Sequence, residues 1–350
     1  MQRQKQLSEW LHNLFPEKDF TLAPASADAS FRRYFRATFM NGQTLIAMDA
    51  PPQFEDCRPF MHVAKLFGDA GAHVPQVYAQ DLNQGFLLLS DLGNTTYLQS
   101  LSNLSHKQGG HSRPPSSEEN SAKARELYGA ATGALIKIQL ASRNNELPLY
   151  DEALLLQEMR LFPEWYIAKH LKVELSAAQR SKLETVFARI VANNLAQPRV
   201  YVHRDYHSRN LMQLEENNPG IIDFQDAVYG PITYDLASLF KDAYIYWEEA
   251  EVIDWLIRYW EQARKVGLPV HEDFSELYRD YEWMAVQRHL KILGIFARLY
   301  YRDGKDGYLK DLPLVMAHLR SACARYIDLK PLLNLLDTLE PQNFLEGYTF

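Results

Sequence analysis

The stretch HRDYHSRNLMQLEENNPGIIDF, residues 203–224, decides how this chain of 350 residues is read. Its first eight positions hold two histidines, two arginines, an aspartate and an asparagine, straight after the apolar run VYV. His203, Asp205 and His207 alternate, so on a continued strand they point to one face, as metal ligands do. A metal-hydrolase site is therefore one reading. His170 and His289 stand alone on helical patterns and do not complete such a set. The second reading joins Asp205, Asn210 and Asp223. Asn210 follows Asp205 by five positions, and Asp223 follows Asn210 by thirteen, opening an Asp-Phe pair after a short β-branched run. A loop of that length sets a carboxylate where an incoming hydroxyl will sit and turns an amide oxygen toward Mg2+. The next strand then returns a second carboxylate to the same cation.

Outward from this stretch, two different textures appear. The N-terminal segment MQRQKQLSEWLHNLF repeats apolar residues at helical spacing, so it is a helix and not a leader peptide. FRRYFRATF and TLIAMDA flank Asn41-Gly42, a strong hairpin signal, and Pro51-Pro52 ends the second strand. A helix over EDCRPFMHVAKLFGDAG and two strands in VPQVYAQDLNQGFLLLSDLG follow. Residues 1–95 are thus expected to form a small, mainly antiparallel sheet with a helix on it. From Ala124 onward helical patterns dominate, with TYDLASLF through EQARKVG among them. RVYVH and PGIIDF interrupt the helices and are expected to pair as one hairpin carrying the charged residues. Residues 96–350 are then a large helical domain. Within it, residues 100–122 are rich in Ser, Gly, Pro and Asn and are expected to be a flexible exposed loop.

Bulk composition narrows the partners. With 37 Lys and Arg against 44 Asp and Glu, the net charge is −7, which argues against a general nucleic-acid binder. Two cysteines give no disulfide framework and suit a reducing compartment. No run reaches the roughly 18 apolar residues of a membrane span. A monomeric cytoplasmic protein, acting on a small molecule without nucleic acid or membrane, is expected.

VHRDYHSRNLM, GIIDFQDAVYG and PITYDLASLF together resemble the aminoglycoside phosphotransferase and choline kinase superfamily. That resemblance implies an α+β, bilobal protein-kinase-like fold, with a small antiparallel-sheet N-lobe and a large helical C-lobe, and ATP and Mg2+ as cofactors. It implies Asp205 as catalytic base, Asn210 and Asp223 as magnesium ligands, Asp226 as a further acidic residue beside the site, and Asp235 and His203 as braces of the catalytic loop. ASFRRYFR, MDAPPQFEDCRPF, GFLLLSDLG and QRHLKILGIFARLYYRDGK are similar to bacterial cell-wall-recycling sugar kinases. Members of that group phosphorylate N-acetylmuramate and N-acetylglucosamine at the anomeric hydroxyl.

Two positions depart from the kinase pattern. Met48 stands where a lysine normally meets the nucleotide phosphates, and ADASFRRYFR replaces the glycine-rich loop without a single glycine. Arg32, Arg33 or Arg36 is then needed to meet phosphate charge. Backbone near Ser90, Asp91 and Leu92 is expected to meet the adenine. For the sugar, Trp165 and Tyr166 offer stacking faces, and Arg288, His289, Lys291 and Arg298 set positive charge on one late helix, suited to a carboxylated sugar. A kinase of the same fold acting on an aminoglycoside, and a nucleotide-binding module without turnover, remain alternatives; the negative net charge fits cationic substrates, and Met48 fits a silent site.

Overall fold

The computed structural model describes residues 2–26, 31–104, 107–108, 111–112 and 118–341. Tertiary contacts group the chain into two compact units: residues 1–100, 127–141 and 209–227, and residues 101–126, 142–208 and 228–350. No single cut in the sequence separates them.

The first unit is built on α1 (Gln2–Leu14) and five strands: β1 (Phe20–Ser26), β2 (Arg33–Phe39), β3 (Thr44–Asp49), β4 (Val77–Asp81) and β5 (Phe86–Ser90). All neighbours are antiparallel, in the order β1-β2-β3-β5-β4. Four of these strands are legible in the sequence, β2 as an alternating run and β3 and β5 as apolar ones. β1 is not, because FTLAPAS carries Pro24; its place at the sheet edge explains why a residue without a backbone N–H is tolerated. Side chains alternate across the pleat. One face therefore presents Phe35, Ala37, Phe39, Leu45, Ala47, Phe86 and Leu88 to Leu7 and Leu11 of α1. Helix α2 (Cys57–Asp69), capped by the Asp56 carboxylate on the Arg58 N–H, carries Phe60 and Phe67 to Phe224, with ring centroids 4.8 and 6.0 Å apart. The β4–β5 turn needs a glycine: Gly85 has φ +71°, and a Cβ there would lie 1.8 Å from the Ala50 carbonyl oxygen.

The polar stretch 100–122 lies partly outside the described residues. In the remainder, α3 (Tyr97–Leu104) enters it, β6 (Lys107–Gln108) pairs with β7 (His111–Ser112), and α4 (Glu118–Leu140) leaves it. Its ends are helical rather than loop.

The helical unit contains α5 (Glu152–Leu161), which runs into a π-helical segment, Phe162–Leu171, and α6 (Ala177–Ala196), opened by a capping box between Ser176 and Gln179. The expected hairpin of RVYVH with PGIIDF does not form. β8 (Arg199–Val202) pairs instead with β11 (Val228–Pro231) in the helical unit. β9 (Leu211–Met212) pairs with β10 (Gly220–Ile221) in the sheet unit. Two ribbons, one in each unit, replace the one hairpin, and the apolar pattern of these short runs does not encode which partners which.

The long helix expected from Thr233 to Gly267 is also broken. It forms α7 (Tyr234–Phe240) and α8 (Glu249–Lys265), with a non-helical link in which Asp242 turns its carboxylate to the Ser208 N–H and hydroxyl, at 3.0 and 2.5 Å. Helix α9 (Phe274–Asp303) is the spine of the unit, followed by α10 (Leu312–Arg325) and α11 (Lys330–Leu339). Gly294 lets α9 approach the end of α5, since a Cβ would fall 2.4 Å from the Leu161 carbonyl carbon. No helix among the described residues is long and apolar enough to cross a membrane.

Candidate active site

In the helical unit, β8 ends at Val202 and the chain turns sharply into Asp205. Arg204 makes the turn at φ +75°, a left-handed conformation that residues other than glycine, asparagine and aspartate rarely adopt. The bend is held from α7. Asp235, fully buried in the first turn, accepts the backbone N–H groups of His203 at 2.7 Å and Arg204 at 3.0 Å. Burial pushes the Asp235 carboxyl up to about 7 despite those two bonds. The buried His203 ring accepts the Asp205 N–H at its Nδ1, 3.2 Å away, which leaves that nitrogen without a proton. Asp205 itself keeps 41% of its side chain exposed. Burial raises its pKa, but Lys291, Arg288, His207 and Arg204 together outweigh burial and hold the carboxyl well below the usual range. It is a carboxylate at neutral pH.

The late helix, expected to offer positive charge to a carboxylated sugar, buries most of that charge. Arg288, His289 and Lys291 are buried in α9. Lys291 pairs with Glu158 of α5 at 3.0 Å and donates to the Tyr234 hydroxyl at 3.1 Å. Glu158 also receives Arg204, the Tyr150 hydroxyl and, at 3.0 Å, Gln287. Arg288 donates to the Arg204 carbonyl at 2.7 Å and lies 3.7 Å from Asp205. His289 is not a cation: burial, then His318, press its pKa well below the ordinary value, and its Nε2–H donates to the Lys241 carbonyl at 3.1 Å. The reason is plain. Acids more than eighty residues earlier draw these bases inward, and no local pattern reveals that. Tyr166 is likewise removed from any sugar: it is buried, stacked on Phe162 and bonded to Glu340 at 2.7 Å. Trp165, in the π-helical segment, stays half-buried, as does Arg298.

Glu158 escaped sequence analysis, since a lone glutamate on an amphipathic helix carries no signal. Burial pushes its carboxyl up, yet Lys291, Arg204 and the bonds from Tyr150 and Gln287 bring it down to about 2. A carboxyl depressed in the folded state stabilises above its unfolded pKa and loses that contribution as pH falls from about 4.5 to about 2. Glu158→Ala strands two buried cations, so urea unfolding at pH 7 should show a loss of about 3–5 kcal/mol. A loss below about 1 kcal/mol would mean that the cluster is not a structural keystone.

In the sheet unit, Asn210 precedes β9 and Asp223 follows β10, and Ile222 N–H donates to the Asn210 carbonyl at 3.1 Å, extending the ladder. The two side chains meet there, Asn210 Nδ2 lying 3.3 Å from Asp223 Oδ2, while Gln225 donates to Asp223 Oδ1 at 2.8 Å. Asp223 has φ +64°, also in the left-handed region. An amide and a carboxylate side by side fit Mg2+, which takes one or two side chains and completes its shell with phosphate and water oxygens. Among the described residues no three of His, Cys, Asp or Glu gather as a metal set. The alternating His203, Asp205 and His207 therefore do not form one.

The three arginines part ways. Arg33 is tied, together with Arg3 of α1, to the wholly buried Asp49. Arg36 grips Asp91 at 2.5 Å and also Asn94 and the Gly93 carbonyl. Arg32 is 11% exposed, lies 3.7 Å from Glu55, and feels Asp223 and the exposed Asp226. Burial lowers its pKa, but Tyr34, Glu55, Asp223 and Asp226 more than offset this. Met48 is buried. Ser90 ends β5, its N–H donating to the Gln76 carbonyl and its hydroxyl accepting the Gln76 N–H, both at 2.9 Å, and Leu92 is buried beside Gly220.

Known proteins resemble this chain at two levels, sequence and fold. The profile of the phosphotransferase enzyme family matches residues 21–277. An N-acetylmuramate/N-acetylglucosamine kinase of Neisseria meningitidis serogroup B is 50% identical over 351 residues, covering 100% of both chains. One of the same name from Pseudomonas aeruginosa is 46% identical over 348 residues, 96% of this chain and 97% of that one. The crystal structure of a choline kinase from Streptococcus pneumoniae superposes with a TM-score of 0.60 at 16% identity, over 92% of this chain and 100% of that one, a likeness of fold. A mixed antiparallel-sheet and helical, protein-kinase-like fold was the expectation, and it is what the strands and helices form. With the profile spanning most of the chain and full-length relatives near half identity, the chain belongs to the phosphotransferase enzyme family.

Proposed function

We propose that this protein is an ATP-dependent sugar kinase that phosphorylates N-acetylmuramate and N-acetylglucosamine at the anomeric hydroxyl, giving the sugar 1-phosphate in peptidoglycan recycling. The observation that carries this reading is the ionised, partly exposed Asp205 on its braced loop, in a chain half identical end to end to a kinase named for these two sugars. Asp205 orients the acceptor hydroxyl and takes its proton. An anomeric hydroxyl is more acidic than an ordinary alcohol, so a carboxylate of low pKa is a sufficient base. Asn210 and Asp223 hold magnesium. Bound magnesium-ATP supplies the phosphoryl group and neutralises charge on its own phosphates.

Of the three arginines, Arg32 takes the role of the missing strand lysine, because the forks of Arg33 and Arg36 already clasp carboxylates. The chain after β5, at Ser90 to Leu92, meets adenine, and Asp226 and Trp165 contribute to the acceptor side. The acceptor is a small neutral or acidic sugar, met in the cytoplasm by a monomer.

Incubating the purified protein with Mg-ATP and N-acetylmuramate, N-acetylglucosamine or kanamycin, then recording phosphorus NMR spectra, tests the assignment. A glycosyl 1-phosphate doublet with either amino sugar is expected. Phosphorylation of kanamycin alone would transfer the protein to the aminoglycoside class, and no ADP with any acceptor would leave only a binding module.

A further inference from the structure

The reading of Arg288 as a substrate contact does not survive its burial, and its contacts point elsewhere. Only 3% of the residue is exposed. One terminal nitrogen donates to the Arg204 carbonyl at 2.7 Å and reaches the Tyr234 hydroxyl at 3.3 Å. The other lies 3.7 Å from Asp205 Oδ1, and the guanidinium carbon sits 5.4 Å from the centre of the Tyr234 ring. We propose that Arg288 is a positioning residue of phosphoryl transfer, latching the strained peptide just before the base and thereby fixing where the Asp205 carboxylate stands. This rests on the assignment of Asp205 as base.

The geometry makes the latch specific. Residue 204 is held at both ends, its N–H by Asp235 from α7 and its carbonyl by Arg288 from α9. Its own side chain is anchored a third time, on Glu158. A left-handed non-glycine residue persists only where its surroundings over-determine it. Here a buried carboxylate and a buried guanidinium act on the two faces of one bend, and Asp205 is the next residue along. Arg288 thus has two jobs from one rigid fork: it fills a carbonyl that the bend turns inward, and it sets a positive charge beside the carboxylate that the same bend turns outward. A guanidinium does both because its two terminal nitrogens diverge in a rigid planar fork, whereas an ammonium gathers its three donors on a single nitrogen at the end of a flexible stem. Lys291, one turn further along α9, is committed to Glu158 and Tyr234 and is not a substitute. The burial of a base-rich helix then has a catalytic reason: it shapes the base, not the substrate pocket.

Steady-state kinetics with Mg-ATP and N-acetylglucosamine on wild type, R288M, R288K and D205N test this. Displacing a reacting group by about 1 Å typically lowers turnover about 100-fold. R288M is therefore expected to lose about 100-fold in kcat, with KM for ATP and for the sugar within about threefold of wild type. R288K is expected to lose most of the same turnover although it keeps the charge. A kcat near wild type in either variant overturns the inference. So does a raised sugar KM at unchanged kcat, which would return Arg288 to substrate binding. Where R288M does not fold, the R288K values decide by the same criteria. D205N separates the two levels: if it keeps turnover, the base assignment itself has failed, whereas an inactive D205N beside active Arg288 variants defeats the latch alone.

Discussion

Asp205→Asn is expected to lower kcat by about three orders of magnitude while leaving ATP affinity close to wild type, since general-base catalysis contributes about 10²–10⁴-fold. The substitution keeps shape and volume on a loop whose backbone is fixed by Asp235, His203 and Arg288, while the ion pair of Arg288 with the Asp205 carboxylate loses its negative partner. What changes is proton affinity. Arg204, His207, Arg288 and Lys291 hold the carboxylate ionised, ready to take a proton but weak as a base in water. Its usefulness therefore depends on an acidic acceptor hydroxyl and on precise placement, and an amide has neither charge nor basicity. Turnover measured by ADP release, with ATP binding by calorimetry, reads both halves of the expectation. Retained turnover in the Asn variant removes Asp205 from the role. A large fall in ATP affinity instead makes it part of the nucleotide site.

Asp223→Ala should be as damaging for a different reason. Removing the carboxylate leaves Asn210, an uncharged amide, as the remaining member of the pair proposed to hold magnesium, and Gln225 loses its acceptor. Charge neutralisation by a bound metal is worth several kcal/mol, so about a thousandfold loss in kcat/KM is expected, with the magnesium requirement raised into a range that a titration detects. Asn210→Ala should lose less, because it removes a dipole rather than a charge. Equal magnesium dependence in wild type and the Asp223 variant would show that the cation binds elsewhere. Asp223 turns at φ +64°, a left-handed conformation open to aspartate, directly after the β9–β10 ladder and Ile222.

Much of this was legible before any coordinates. The Asn41-Gly42 turn pairs β2 with β3 in the expected place, and the helical spacing of Leu7 and Leu11 buries α1 as expected. The spacing of Asp205, Asn210 and Asp223 points to the residues proposed to carry the chemistry, and the structure brings the Asn210 and Asp223 side chains together. Strand β1 was hidden by Pro24, and the partner of β8 by the similarity of two short β-branched runs.

The sequence by itself determined the family and most of the sheet strands and helices, and it proposed Asp205, Asn210 and Asp223 as the site, because periodicity, turn chemistry and short-range spacing are local. Only the tertiary structure decided which charges face solvent. Arg288, Lys291 and His289 look alike as basic residues on a helix, yet the first latches the Arg204 carbonyl, the second meets Glu158 and the third is neutral beside His318. A charge is buried only where a distant partner offsets its desolvation, and that partner is chosen by the fold, not by its neighbours in sequence.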